Sequence, residues 1–90
     1  MVARDDLDRL GLYLDWLRRR LPGWRFSAEC NEGQPGWIGV TPADESIRPR
    51  DFYFPEYQEA LGMAQVHEWL MSLHRAGRLP PMPADDAAES

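Results

Sequence analysis

Residues 5–21 repeat leucine at spacings of three and four, so that Leu7, Leu10, Leu14, Leu17 and Leu21 share one stripe of an α-helix. Asp5 suits the N-cap, with Asp8 three residues on as a reduced capping box. Arg18, Arg19 and Arg20 fall in the last turn, at the negative end of the helix dipole, and Pro22 and Gly23 stop the helix. At about 100° per residue, Leu12 and Trp16 project almost opposite the leucine stripe, with Tyr13 on its shoulder. A helix that is apolar on two faces is either sandwiched inside the fold or presents a patch to another molecule.

The period then changes from 3.6 to two. Trp24, Phe26, Ala28 and Cys30 alternate with Arg25, Ser27 and Glu29, which predicts a half-buried strand over 24–30. Residues 31–36 (NEGQPG) are a turn by composition, and 37–41 form a second strand with Ile38 and Val40 on one face and Trp37 on the other. A loop of this length implies an antiparallel hairpin. Gly39 within the strand points to a bulge or to the close approach of another backbone. Residues 42–50, aperiodic and with two prolines, read as a loop; 51–54 read as a third strand with Phe52 and Phe54 inward and Tyr53 outward.

Pro55 fits a first helical position, Glu56 and Glu59 suit the positive end of the dipole, and the helix is expected to run to about Ala76. Two ridges, Met63, Val66, Leu70, Leu73 and Tyr57, Ala60, Ala64, His67, Met71, His74, would cover more than half its circumference and make it the centre of the core. Trp69 falls on its polar side. Gly77 supplies a left-handed C-cap, with Pro80 beyond it. Residues 80–90 (PPMPADDAAES) are too polar and proline-rich to pack and read as a flexible acidic tail. The expectation is one α+β domain over 1–79, a small antiparallel meander of two to three strands flanked by an N-terminal helix and a longer C-terminal one, in the order α-β-β-(β)-α.

Composition narrows the function classes. The chain has 90 residues, 43% hydrophobic and 28% charged, which suits one small soluble domain. Its net charge of −5 argues against nucleic acid or an anionic membrane as the main partner. No apolar run approaches a membrane span, the first residues lack a signal-peptide core, and a single cysteine excludes an internal disulfide, so the expected location is the cytoplasm. All ten cations are arginine, a bias that GC-rich coding in bacteria or their phages also produces. Charge is unevenly placed: residues 26–47 hold Glu29, Glu32, Asp44 and Glu45 and no cation, making an acidic end, whereas the end of the first helix is basic.

Catalytic patterns are lacking. His67 and His74 are two helical turns apart, about 10.5 Å along the axis and too far to share one ion, and no CxxC or HExxH pattern is present, so no metal or other cofactor is expected. Cys30 sits beside Glu29 and Glu32, whose charge disfavours a thiolate. No serine lies in a glycine elbow, and neither a GxGxxG nor a phosphate loop occurs. An enzyme is therefore not expected.

What remains is surplus apolar surface. Leu12, Trp16, Trp37, Tyr53 and Trp69 lie off the expected core and are of the types that anchor interfaces. They point to a non-catalytic protein-binding module, partnered by another protein or by a second copy in a homodimer. Its sharper form is a small phage or bacterial inhibitor of the anti-defence type, whose acidic end covers a basic site on its partner. The alternative is a nucleic-acid-binding accessory protein that uses Arg18, Arg19, Arg20, Trp24 and Arg25, since a basic cluster with an aromatic can hold a phosphate backbone and stack a base.

Overall fold

The structure, a computed structural model, describes residues 5–79, with side chains from Leu7 onward. The expected Asp5 cap contact and the tail at 80–90 lie outside the described residues. The elements are α1 (Asp5–Arg20), β1 (Arg25–Glu29), β2 (Gly36–Thr41), β3 (Arg50–Phe54) and α2 (Glu59–Arg75). The order is α-β-β-β-α, an α+β fold, and 51–54 belongs to a true third strand.

The leucine stripe of α1 does what its spacing dictates. Leu10, Leu14, Leu17 and Leu21 are buried and Leu7 packs at the margin. The three strands form one antiparallel sheet in the order β1-β2-β3, with Phe26 opposite Val40 and Ile38 opposite Phe52. Alternation sends Phe26, Ile38, Val40, Phe52 and Phe54 to one face, where both helices cover them. The register runs through Gly39 without a bulge. Side chains, not a backbone, come close to it: a Cβ would stand 3.0 Å from Trp37 Cζ3 and 3.1 Å from Asp51 Oδ1. Both sheet edges are capped by side chains. Arg18 Nη2 donates to the Phe26 carbonyl on β1 (2.8 Å), and Gln65 Nε2 donates to the Tyr53 carbonyl on β3 (2.9 Å). Occupying edge carbonyls in this way discourages pairing with another strand.

Two expectations about α2 need correction. The helix begins at Glu59, not Pro55: residues 55–58 form a turn closed by Gln58 N–H to the Pro55 carbonyl (3.0 Å), with Tyr57 in the left-handed region at φ 67°. The chain leaves β3 along the sheet and must be redirected before it can return as a helix. Second, only one stripe of α2 is buried, made of Glu59, Gly62, Val66 and Leu70. Of the second expected ridge, Tyr57, Ala60, Ala64 and His67 are exposed and Met71 and His74 half-buried. A two-layer fold offers a helix the sheet below and one neighbouring helix, which leaves the outer side in water. At its other end, Gly77 (φ 75°) ends α2 with Gly77 N–H bonded to the His74 carbonyl and Arg78 N–H to the Leu73 carbonyl, a Schellman motif. The 42–49 connection is a loop, but it contributes Ile47 to the interior. An Asp44 turn bonded to Ser46 holds it in place.

Tyr13 is half-buried on α1, and its hydroxyl has no hydrogen-bond partner among the described residues. Burial pushes its phenol up to about 12. From the ordinary value of 10.0 to that point, the unfolded chain has released a proton that the folded chain keeps, so stability falls as pH rises through this window. In a near-ultraviolet titration, one of the three tyrosines should ionise only near pH 12 or together with unfolding. Tyr13→Phe should remove that step at little or no cost in stability, because it deletes an unsatisfied buried hydroxyl. Three tyrosines titrating together near pH 10 in the folded chain would contradict this placement.

Candidate protein-binding surface

With both helices on one face, no described element covers the other face of the sheet. Strand alternation places Arg25, Ser27, Glu29, Trp37, Gly39, Thr41, Asp51 and Tyr53 there. Register sorts them into rows: Glu29, Trp37 and Tyr53 lie side by side across the three strands, and Ser27, Gly39 and Asp51 form the next row. The first row carries the aromatics. Trp37 leans over Gly39, its ring in close contact with that backbone, and Nε1 donates to Glu29 Oε1 at 3.1 Å. Glu29 is itself held by Asn31 Nδ2, which donates to Oε2 at 3.0 Å. The indole is thus held in one orientation by the chain's own residues. Tyr53 beside it is 62% exposed.

The aromatic row ends at the acidic end of the molecule. There the β1–β2 turn meets the β3–α2 turn. Gly33 N–H donates to Glu56 Oε2 at 2.6 Å, and the Tyr57 hydroxyl donates to Glu32 Oε2 at 3.4 Å. Desolvation, then the charges of Glu32 and Glu56, push the Tyr57 phenol above its usual range. Between the two turns lies a recess of about 210 Å³, with Glu32, Glu56 and Glu59 in its wall and Leu7, Gly36 and Phe54 as its apolar lining. Tyr57, Glu59 and Glu56 were not among the sequence candidates. For Glu59 the signal was present: its spacing to Gly62, Val66 and Leu70 puts it on the buried stripe of α2.

The other candidates lie elsewhere. Leu12 is 69% exposed on α1, in the opposite layer from Trp37 and Tyr53. Trp16 is half-buried, stacked on Tyr13 (6.1 Å between centroids) with the Arg20 guanidinium over its ring at 5.3 Å. Trp69 is not on a polar side. It packs against the core beside Phe52 (5.5 Å) and Trp24 (6.3 Å), and Arg50 covers it at 5.6 Å. The five expected anchors therefore do not form one surface: Trp37 and Tyr53 adjoin, Leu12 and Trp16 belong to α1, and Trp69 is structural.

The basic cluster is likewise divided. Arg18 is committed to Asp15 (2.7 Å) and to the Phe26 carbonyl, and Arg20 to Trp16. Trp24 is stacked on Phe26 at 6.2 Å and flanked by Trp69. Arg19 and Arg25 are exposed, on α1 and on the outer sheet face respectively. Cys30 lines two recesses, neither of which carries a histidine. His67 is exposed on α2, and His74 has a buried Nδ1 without a partner among the described residues. No three His, Cys, Asp or Glu side chains among the described residues come together as a metal site. No helix among them is long and apolar enough to cross a membrane. In comparisons with known proteins, no family model, curated protein or solved structure matches the chain.

Proposed function

We propose that the chain is a non-catalytic protein-binding module that docks a partner through the outer face of its sheet, with its acidic end against a basic surface of that partner. The observation that carries this reading is the pinned Trp37 beside the exposed Tyr53 on a sheet face that no described element covers, next to Glu29, Glu32 and Glu56. An aromatic anchor with a charged rim is the usual anatomy of a protein interface. The acidic rim gives the reading its direction, since opposite charge steers association and selects partners. Covering a basic, nucleic-acid-binding site on another protein is the specific form this takes, as a small inhibitor would. The nucleic-acid alternative draws less support, because Arg18, Arg20 and Trp24 are occupied within the fold.

The test compares capture by the immobilised wild-type chain with capture by a Trp37→Ala, Tyr53→Ala double variant from an extract of the source cells. A partner held by the first should be lost by the second, with the circular-dichroism melt shifted by no more than a few degrees. Sedimentation of the free chain should distinguish a second copy from a different protein as that partner. Equal capture by both forms would remove the sheet face from the interface. Retention on heparin at low salt that disappears at higher salt would favour nucleic acid instead.

A further inference from the structure

We infer that the recess between the β1–β2 turn and the start of α2 receives an arginine side chain of the partner protein, an inference that rests on the protein-binding reading above. The key residue is Glu59. It is only 3% exposed, it lines the recess, and it makes no hydrogen bond or ion pair to another described residue. A carboxylate in a recess with so little exposure and no partner side chain is met best by an opposite charge that brings hydrogen-bond donors. The helix dipole at the start of α2 favours negative charge there but supplies no side-chain donor.

Other features of the recess select the cation. Glu32 and Glu56 add negative charge to its wall, Glu32 held by the Tyr57 hydroxyl and Glu56 by Gly33 N–H. Among the described residues no three His, Cys, Asp or Glu side chains converge as a metal site, whereas a guanidinium can reach carboxylates that stand further apart. The volume of about 210 Å³ equals roughly seven waters, room for a guanidinium and part of its stem. Arginine fits better than lysine. Its planar fork can bridge separate carboxylates, it can stack on an exposed ring such as Tyr57, and it is more weakly hydrated on entering a half-closed site.

The test is an amide-resolved NMR titration of the full chain with Nα-acetyl-arginine N-methylamide at about 20 mM salt, where screening is weak. The neutral isostere Nα-acetyl-citrulline N-methylamide and magnesium chloride are run in parallel. The arginine probe should give saturable shifts at Gly33, Gln34 and Gly36, with a millimolar Kd. The citrulline probe should give none. Glu59→Gln should weaken binding roughly tenfold, the loss of one charged hydrogen bond. Glu68→Gln, an exposed acid away from the recess, should leave binding unchanged. If Glu59→Gln does not fold, Glu32→Gln at the exposed turn carries the same comparison. Shifts spread over all acidic surfaces, an equal response to citrulline, or magnesium reproducing the shifts at lower concentration would each overturn the assignment. If the arginine probe fails while the Trp37→Ala, Tyr53→Ala variant still loses its partner, the recess falls and the protein-binding reading stands. If the probe binds but the sheet-face variant keeps its partner, the reading of the sheet face falls.

Discussion

Replacing Trp69 by alanine should cost about 2–4 kcal/mol, below the full range for a buried tryptophan because the ring is only half-buried. The argument rests on its neighbours. Phe26, Trp24, Trp69 and Phe52 form a continuous row of rings with centroid separations of 5.5–6.3 Å, closed by the Arg50 guanidinium over Phe52 and Trp69. Removing the third ring leaves Trp24 and Phe52 without a common partner and exposes a side of the core. Each kcal/mol shifts the Tm of a domain this size by about 4–8 °C, so a fall of roughly 10–25 °C is expected by circular dichroism. Trp16→Ala should be milder, since that ring lies on α1 against Tyr13 and outside the row. A Tm for Trp69→Ala within a few degrees of wild type would return Trp69 to the list of surface anchors.

Trp69 also shows where sequence pattern is informative and where it fails. On a helical wheel it lies about 65° from the centre of the buried stripe, a shoulder position. Shoulder residues are decided by the size and direction of the side chain, and an indole can reach the sheet from there. Leucines at the centre of α1's stripe face no such ambiguity, and all four from Leu10 to Leu21 are buried. The strands were legible for the same reason, since a period of two has only two outcomes per residue. The second ridge of α2 was misread because apolar and small residues such as Ala60 and Ala64 are tolerated in water, and a two-layer fold has nothing to place over them.

Of the proposed binding surface, the half that depends on alternation could be read from the chain. Trp37 and Tyr53 occupy outer positions of neighbouring strands, and only their exact pairing needed the register. The recess could not be read, because its walls come from residues 30–36 and 54–59, brought together by hairpin closure and by a left-handed Tyr57 that no local pattern signals. Pro55 suggested continuous helix from its preference for first-turn positions, yet proline suits the start of a turn equally well. Charge was more telling than shape: the cation-free stretch from 26 to 47 already marked this end of the molecule as acidic.

Gly62→Ala should destabilise the fold by about 1–3 kcal/mol, the reverse of what the sequence position suggests. Gly62 lies inside α2, where alanine would ordinarily gain about 1 kcal/mol. The space is already taken. A methyl at Gly62 would overlap Phe54 Cδ2 and stand 2.8 Å from Cε2, while on the other edge of the same ring Gly36 leaves only 2.5 Å to Cε1. Phe54 is thus held between two glycines, one in β2 and one in α2, and is 2% exposed. Dense packing on both sides converts a small volume change into backbone displacement between α2 and the sheet. Gly11→Ala is the matched control. It is also helical, but nothing lies within 4 Å of its Cβ position, so the propensity gain should appear undiminished as a rise in Tm of roughly 3–8 °C. Phe54→Leu should be destabilising alone but less so combined with Gly62→Ala, because the shorter side chain gives the methyl room; a double-mutant cycle of denaturant midpoints measures that coupling. Equal and opposite-to-expected behaviour, with Gly62→Ala as stabilising as Gly11→Ala, would mean that the helix does not sit against Phe54 at this distance.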